Sequence, residues 1–191
     1  MGQDSGNVDR GYWHALAMLR LDRARGLEEL EGQFASGGAP ADLDGPMRGR
    51  LLATTFGHGL DGPFESIARL WMPWRGKEIA TEAGEGRNLF TKGGIAAMRP
   101  MFPGYREAGE SASGPTAFRF TTAVAASETS PSTKVLQIDY RDLEENPGLI
   151  RRILDELVQI DDEVYLGQAL MLWRGRLRRV AWFSLEPNRP F

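Results

Sequence analysis

The sequence predicts a mainly β protein, an antiparallel barrel or strongly curved sheet behind an N-terminal helical extension. Its last third reads as a three-strand meander over 157–160, 164–172 and 177–185, joined by the Asp161-Asp162 turn and the Arg174-Gly175-Arg176 tip. Two more alternating runs precede it, TAFRFTTAVAA over 116–126 and KVLQIDY over 134–140, with a polar turn at 127–133 between them. Local antiparallel strands at this spacing favour a barrel over a doubly wound α/β fold.

From Tyr12 to Phe34, Trp13, Leu16 and Leu19 and then Leu27, Leu30 and Phe34 recur at helical spacing, with Glu28, Glu29 and Glu31 opposite. That pattern predicts an amphipathic helix bent at Gly26, which needs an apolar partner at the mouth or flank of the sheet. The SGGAPADLDGP segment over 36–46 is a linker by composition. The chain thus divides into a helical extension over 1–44 and a barrel domain over 45–191.

The first strand of the barrel puts Met47, Gly49, Leu51, Ala53 and Thr55 on one face and Arg48, Arg50, Leu52, Thr54 and Phe56 on the other. Gly57-His58-Gly59 breaks it. A short helix follows, with Asp61 as N-cap, Pro63 in the first turn, Phe64, Ile67, Ala68 and Trp71 at helical spacing, and Pro73 as its stop. Gly76-Lys77 returns the chain to extended structure. Residues 78–83 and 87–91 then make a hairpin about Gly84-Glu85-Gly86. The Gly- and Pro-rich stretch over 92–115 still carries Ile95, Met98, Met101, Phe102 and Tyr105, so it predicts a loop packed over something, a lid over a cavity being one version. Residues 146–156 fit a short helix, with the next strand starting at Leu157. The last strand alternates Leu177, Arg179, Ala181, Phe183 and Leu185 against Arg178, Val180, Trp182 and Ser184.

Composition excludes several chemistries. The chain has 191 residues, no cysteine and two histidines, which removes thiol nucleophiles, thiolate metal sites and a three-histidine metal centre within one chain. The net charge of −3 gives no overall push towards nucleic acid or an anionic membrane, so neither is expected as a partner. With no cysteines and no apolar leader, a cytoplasmic setting is the default. The oligomeric state stays open, a homodimer being one option.

Gly45-Pro46-Met47-Arg48-Gly49, then Thr55, His58, Leu60-Asp61-Gly62 and Trp74-Arg75-Gly76-Lys77, resembles the GXWXG-domain proteins, small bacterial proteins of largely unassigned function. Met47 stands where that pattern has its tryptophan. The 134–140 strand and the 158–172 segment resemble that family's second half. The resemblance implies a calycin-like (lipocalin-style) barrel with an internal pocket, and no particular reaction.

His58, free between two glycines, suits general base work, anion binding or axial ligation of haem; a turn histidine bonded to backbone explains it as well. Asp61 could orient it as a catalytic dyad or simply cap the helix. Trp71, Trp74, Arg75 and Lys77 form an aromatic and basic cluster suited to an apolar ligand with an acidic or carbonyl group, or to closing one barrel end. Arg119 marks a head-group site if it points inward, although Phe118 and Phe120 compete for that face. Tyr140 offers a hydroxyl to a ligand, and Trp182 is a further candidate wall. The expected function is binding of a small, largely apolar molecule in the barrel. The alternatives are a cofactor-independent isomerase, cyclase or lyase using His58, and haem binding through His58 or His14. Arg174, Arg176, Arg178 and Arg179 crowd one hairpin tip with Trp173 and Trp182 nearby, so a nucleic-acid contact is one reading; charge for solubility is the other, and the overall acidity favours it.

Overall fold

The computed structural model describes residues 5–41, 43–55, 74–98, 100 and 102–188, apart from the side chains of residues 5–10. Two helices come first, α1 (Ser5–Leu21) and α2 (Arg23–Ser36). The strands are β1 (Gly45–Thr54), β2 (Trp74–Ala80), β3 (Glu85–Phe90), β4 (Gly109–Ser111), β5 (Gly114–Ala126), β6 (Lys134–Asp139), β7 (Ile153–Asp161), β8 (Val164–Trp173) and β9 (Arg176–Pro187), with α3 (Lys92–Met98) between β3 and β4. β3 pairs with β5, and β9 pairs back with β1, so eight antiparallel strands close into a barrel in meander order. The short β4 adds to the flank of β5. Closure leaves those eight strands without an open edge. The helix expected after the first strand lies outside the described residues.

The sheet buries both faces over much of its width. Met47, Ile79, Phe120, Ile138, Leu157 and Phe183 belong to the inner core. Tyr12, Ala15, Leu30 and Phe34 of the helices pack on Val135, Val158, Leu166 and Trp182 to form an outer one. The helices therefore find their apolar partner on the barrel's flank. Double burial also explains the unbroken buried run from Leu154 to Val158, which plain alternation does not anticipate. That strand begins at Ile153, directly after a 3-10 turn at Ile150–Arg152.

The helical break falls at Asp22, not at Gly26. The Asp22 carboxylate accepts from the Arg25 backbone N–H at 3.2 Å and caps α2. Gly26 serves the crossing of α1 and α2 instead: a Cβ there would lie 2.4 Å from the Leu19 backbone nitrogen.

Two bulges reset the alternation read from sequence. Leu51 faces Phe183 but Ala53 faces Trp182, so Leu52 is the extra residue and Ala53 moves to the outer core. In β9, Ala181 faces Ala169 while Arg179 faces Leu170, so Val180 bulges. Arg179 consequently lies with Trp182, its Cζ 4.3 Å from the ring centre, and not on the face of Phe183 as alternation assigns.

At one end of the barrel Ile95, Met98, Phe102 and Tyr105 pack onto the inner core. The apolar residues of the 92–115 stretch are thus buried against the barrel, partly on a helix. The connection over 140–152 and the β8–β9 tip belong to the same end.

Gly26 and Gly32 should respond oppositely to substitution. Gly26→Val is expected to lower stability by about 1–3 kcal/mol through the clash with α1. Gly32→Ala, on the same helix with nothing among the described residues within 4 Å of the new methyl, should raise it by about 0.5–1 kcal/mol. Urea unfolding of the two variants checks this; stabilisation by both would deny the close helix crossing.

Candidate functional site

Inside the barrel, beneath the end closed by α3, sits a lysine. Lys77 follows a bulge at Arg75 in β2, which returns it to the inner face opposite Asn88 of β3. Its side chain is 2% exposed. The three ammonium protons have three acceptors: Asp155 Oδ2 at 2.8 Å, the Tyr140 hydroxyl at 2.6 Å and Asn88 Oδ1 at 3.0 Å. The Tyr140 hydroxyl donates in turn to Asp155 Oδ2 at 3.2 Å, the charged acceptor taking precedence over Asn88. Asn88 Nδ2 donates to Tyr140 at 3.0 Å and to the Phe118 carbonyl at 3.2 Å, while Trp74 Nε1 donates to Asn88 Oδ1 at 3.0 Å. Three strands and a strand end thus meet on one amine.

Aromatic rings surround this polar knot. The centres of Trp74, Phe120, Tyr140 and Phe183 lie 5.7, 5.2, 5.3 and 5.5 Å from Lys77 Nζ, within reach of cation–π attraction. Three of these rings lie over glycines on neighbouring strands. A Cβ on Gly49, Gly86 or Gly167 would come within 2.3, 2.3 or 2.2 Å of the ring of Trp74, Phe120 or Phe183 respectively. The missing side chains let the rings lie along the barrel wall around the ammonium.

Phe118 is the strained element. It is the extra residue where Arg87 faces Arg119 but Asn88 faces Ala117, and its φ of 53° is in the left-handed region. That bulge turns its carbonyl to Asn88, while its N–H is held by the Tyr105 hydroxyl at 2.6 Å. The segment closing the barrel end and the polar cluster therefore share one distorted residue.

Burial lowers the Lys77 pKa from its ordinary 10.5, against the opposing pull of the Asp155 charge. Burial first, and then the Asp155 charge, raise Tyr140 well above 10.0.

Of the residues singled out in the sequence, the fold brings Trp74, Lys77 and Tyr140 together. Arg75 is exposed on the barrel wall. Arg119 faces outward and pairs with Glu85 at 2.9 Å and Glu145 at 3.4 Å. Trp182 lies on the outer face, its ring 5.6 Å from that of Phe34 in α2. His14 is on the helical layer, 3.4 Å from Glu29. His58, Asp61 and Trp71 lie outside the described residues.

Asp155 and Asn88 are the members that sequence reading missed. Asp155 precedes Glu156, and adjacent acids read as a solvated pair. Yet the two point to opposite faces, and both are buried. Glu156 belongs to the outer side, where it accepts from Ser127 Oγ at 2.6 Å, the Glu128 N–H at 2.7 Å and Gln168 Nε2 at 2.7 Å. It anchors the 127–133 turn. The usable signal for Asp155 is its phase with Ile153 and Leu157, visible once the strand is extended back to Ile153.

Among the described residues no cluster of three or more histidine, aspartate or glutamate side chains is placed to hold a metal. No family model and no curated protein matches the sequence. A crystal structure of a protein from Thermomonospora curvata is similar at 15% identity and a TM-score of 0.48, over 94% of this chain and 99% of that one.

The Lys77–Asp155 pair should show the asymmetry of buried ions. Lys77→Met strands a carboxylate and is expected to cost about 3–5 kcal/mol, and adding Asp155→Leu should restore the native stability or exceed it. The pair also sets a pH dependence. The unfolded chain holds the Lys77 proton more tightly than the folded one, so stability rises with pH in the window that ends at 10.5. Tyr140 acts oppositely above 10.0, where the folded state keeps a proton that the unfolded state loses. Urea midpoints of the native protein should therefore climb relative to the double variant as the pH rises towards about 10. A flat difference would mean that folding leaves the amine's affinity for protons unchanged.

Proposed function

We propose that the barrel receives a small, largely apolar molecule whose acidic or carbonyl group is held by the Lys77 cluster. The observation that carries this reading is a charged amine in the middle of an aromatic core. A barrel built only for stability would gain by an apolar residue there, because desolvating an ion pair costs more than packing a methionine. Exchange of partners is also cheap. Asn88 and Tyr140 are neutral acceptors of Lys77, and each keeps another partner when a ligand oxygen takes its place. The rings of Trp74, Phe120 and Phe183 offer the apolar wall.

The resemblance to GXWXG-domain, calycin-like proteins belongs to the same proposal. Gly45 adopts a φ of +88°, and Gly49 makes room for the Trp74 indole, so the glycines of that motif have definite tasks here. The absence of cysteine supports a cytoplasmic setting.

A second reading, a cofactor-independent isomerase, cyclase or lyase, draws on the Tyr140 hydroxyl, which touches both Lys77 and Asp155 and offers a path for a proton. Turnover lost in Tyr140→Phe while binding persists would favour it.

Native mass spectrometry of freshly purified protein should reveal a co-purified small molecule. Titration with decanoate and decanal, followed by tryptophan fluorescence, should show binding to the native protein that weakens about tenfold or more in Lys77→Met/Asp155→Leu. Equal affinity in the two proteins, or none in either, refutes the reading.

A further inference from the structure

The overall charge of −3 conceals a local concentration of the opposite sign. β8 and β9 run on to a two-residue turn, Arg174-Gly175, with φ of 50° and 77° at its two residues, as a tight primed hairpin turn requires. β8 alternates without interruption, so Met171 and Trp173 continue the face of Gly167 and Ala169, while Leu172 takes the other. Arg176 faces Trp173 and Arg178 faces Met171 across the hairpin; Leu177 faces Leu172. The tip is therefore apolar on both faces, with Trp173 49% and Leu172 38% exposed. A hairpin packed on its own protein would keep such residues on one face only.

The chain entering β7 lies alongside. Ile153 pairs with Met171, which sets the turn at Ile150–Arg152 beside the end of β8. It adds Leu149, 41% exposed, and the exposed Arg151 and Arg152. Arg151, Arg152, Arg174, Arg176 and Arg178 are all exposed, and none forms an ion pair among the described residues. Arg179 stands apart, bound to Glu31 and Gln168 on the outer face.

We propose that this hairpin tip docks the protein on an anionic lipid surface, Trp173, Leu172 and Leu149 entering the headgroup layer while the five arginines meet lipid phosphates. The chemistry selects this occupant over others. Tryptophan is suited to the membrane interface, arginines extend from apolar stems to charged headgroups, and clustered basic residues bind anionic leaflets. A second copy of the same face would oppose arginine to arginine. Single-stranded nucleic acid wants several stacking rings, whereas this tip exposes, among the described residues, one ring beside two leucines. The expectation that no membrane is a partner came from net charge; folding segregates that charge. The docking stands independently of any ligand in the barrel.

Sedimentation with phosphatidylcholine vesicles, with and without phosphatidylglycerol, tests it. The native protein should bind only the anionic vesicles, with affinity falling as salt is raised and a blue shift in tryptophan emission. Arg176→Gln and Arg178→Gln, which leave the turn itself intact, should each weaken binding about fivefold. Trp173→Ser should abolish the blue shift while thermal unfolding stays unchanged. No binding to anionic vesicles overturns the proposal. So does binding that all three variants retain, or retention on single-stranded RNA in place of vesicles.

Discussion

The structure turns on one buried ion pair. Lys77 and Asp155 are brought together from β2 and β7 inside an aromatic interior, where each alone would be a costly uncompensated charge. Their neighbours are arranged around that fact. Tyr140 and Asn88 complete the hydrogen bonding of the amine, Trp74 holds Asn88, and the distorted Phe118 supplies a carbonyl to the same amide. A polar group in such a place has to be fully satisfied, which makes the cluster a fixed register mark for the strands that contribute to it.

The aromatic ring about the amine depends on what is absent elsewhere. Gly49, Gly86 and Gly167 carry no side chain at the points where the rings of Trp74, Phe120 and Phe183 lie. A methyl group at any of them would push a ring towards the ammonium. The glycines therefore shape the interior as directly as the large residues do. They also connect the fold to the site: Gly86 faces Phe120 across the β3–β5 pairing that closes the barrel.

Much of this was legible in the sequence, and the limits have identifiable causes. The meander from β7 to β9 and the β5–β6 pair stood out because their turns are polar and short. Trp74 and Lys77 are legible as part of an aromatic and basic cluster, and Tyr140 as a hydroxyl at the end of a strand. Bulges at Leu52, Arg75, Phe118 and Val180 were invisible, since nothing in the residue types marks an extra residue in a strand. Each one reverses which face its neighbours occupy, and so alternation misassigned Ala53 and Arg179. Asp155 and Glu156 hid each other for a related reason. Two adjacent acids look solvated unless the strand is known to be covered on both faces, and that cover comes from helices far earlier in the chain. The break at Asp22 was missed because Gly26 is the more conspicuous helix breaker, while its task is a close crossing.

The central claim concerns a single amine, and the chain has only three lysines, Lys77, Lys92 and Lys134, the last two exposed. A nitrogen–proton correlation spectrum of their side chains at neutral pH separates them. The account predicts one ammonium with slowly exchanging protons and resonances displaced by ring currents, lost in Lys77→Met, beside two that exchange freely with water. Three freely exchanging lysines would contradict it.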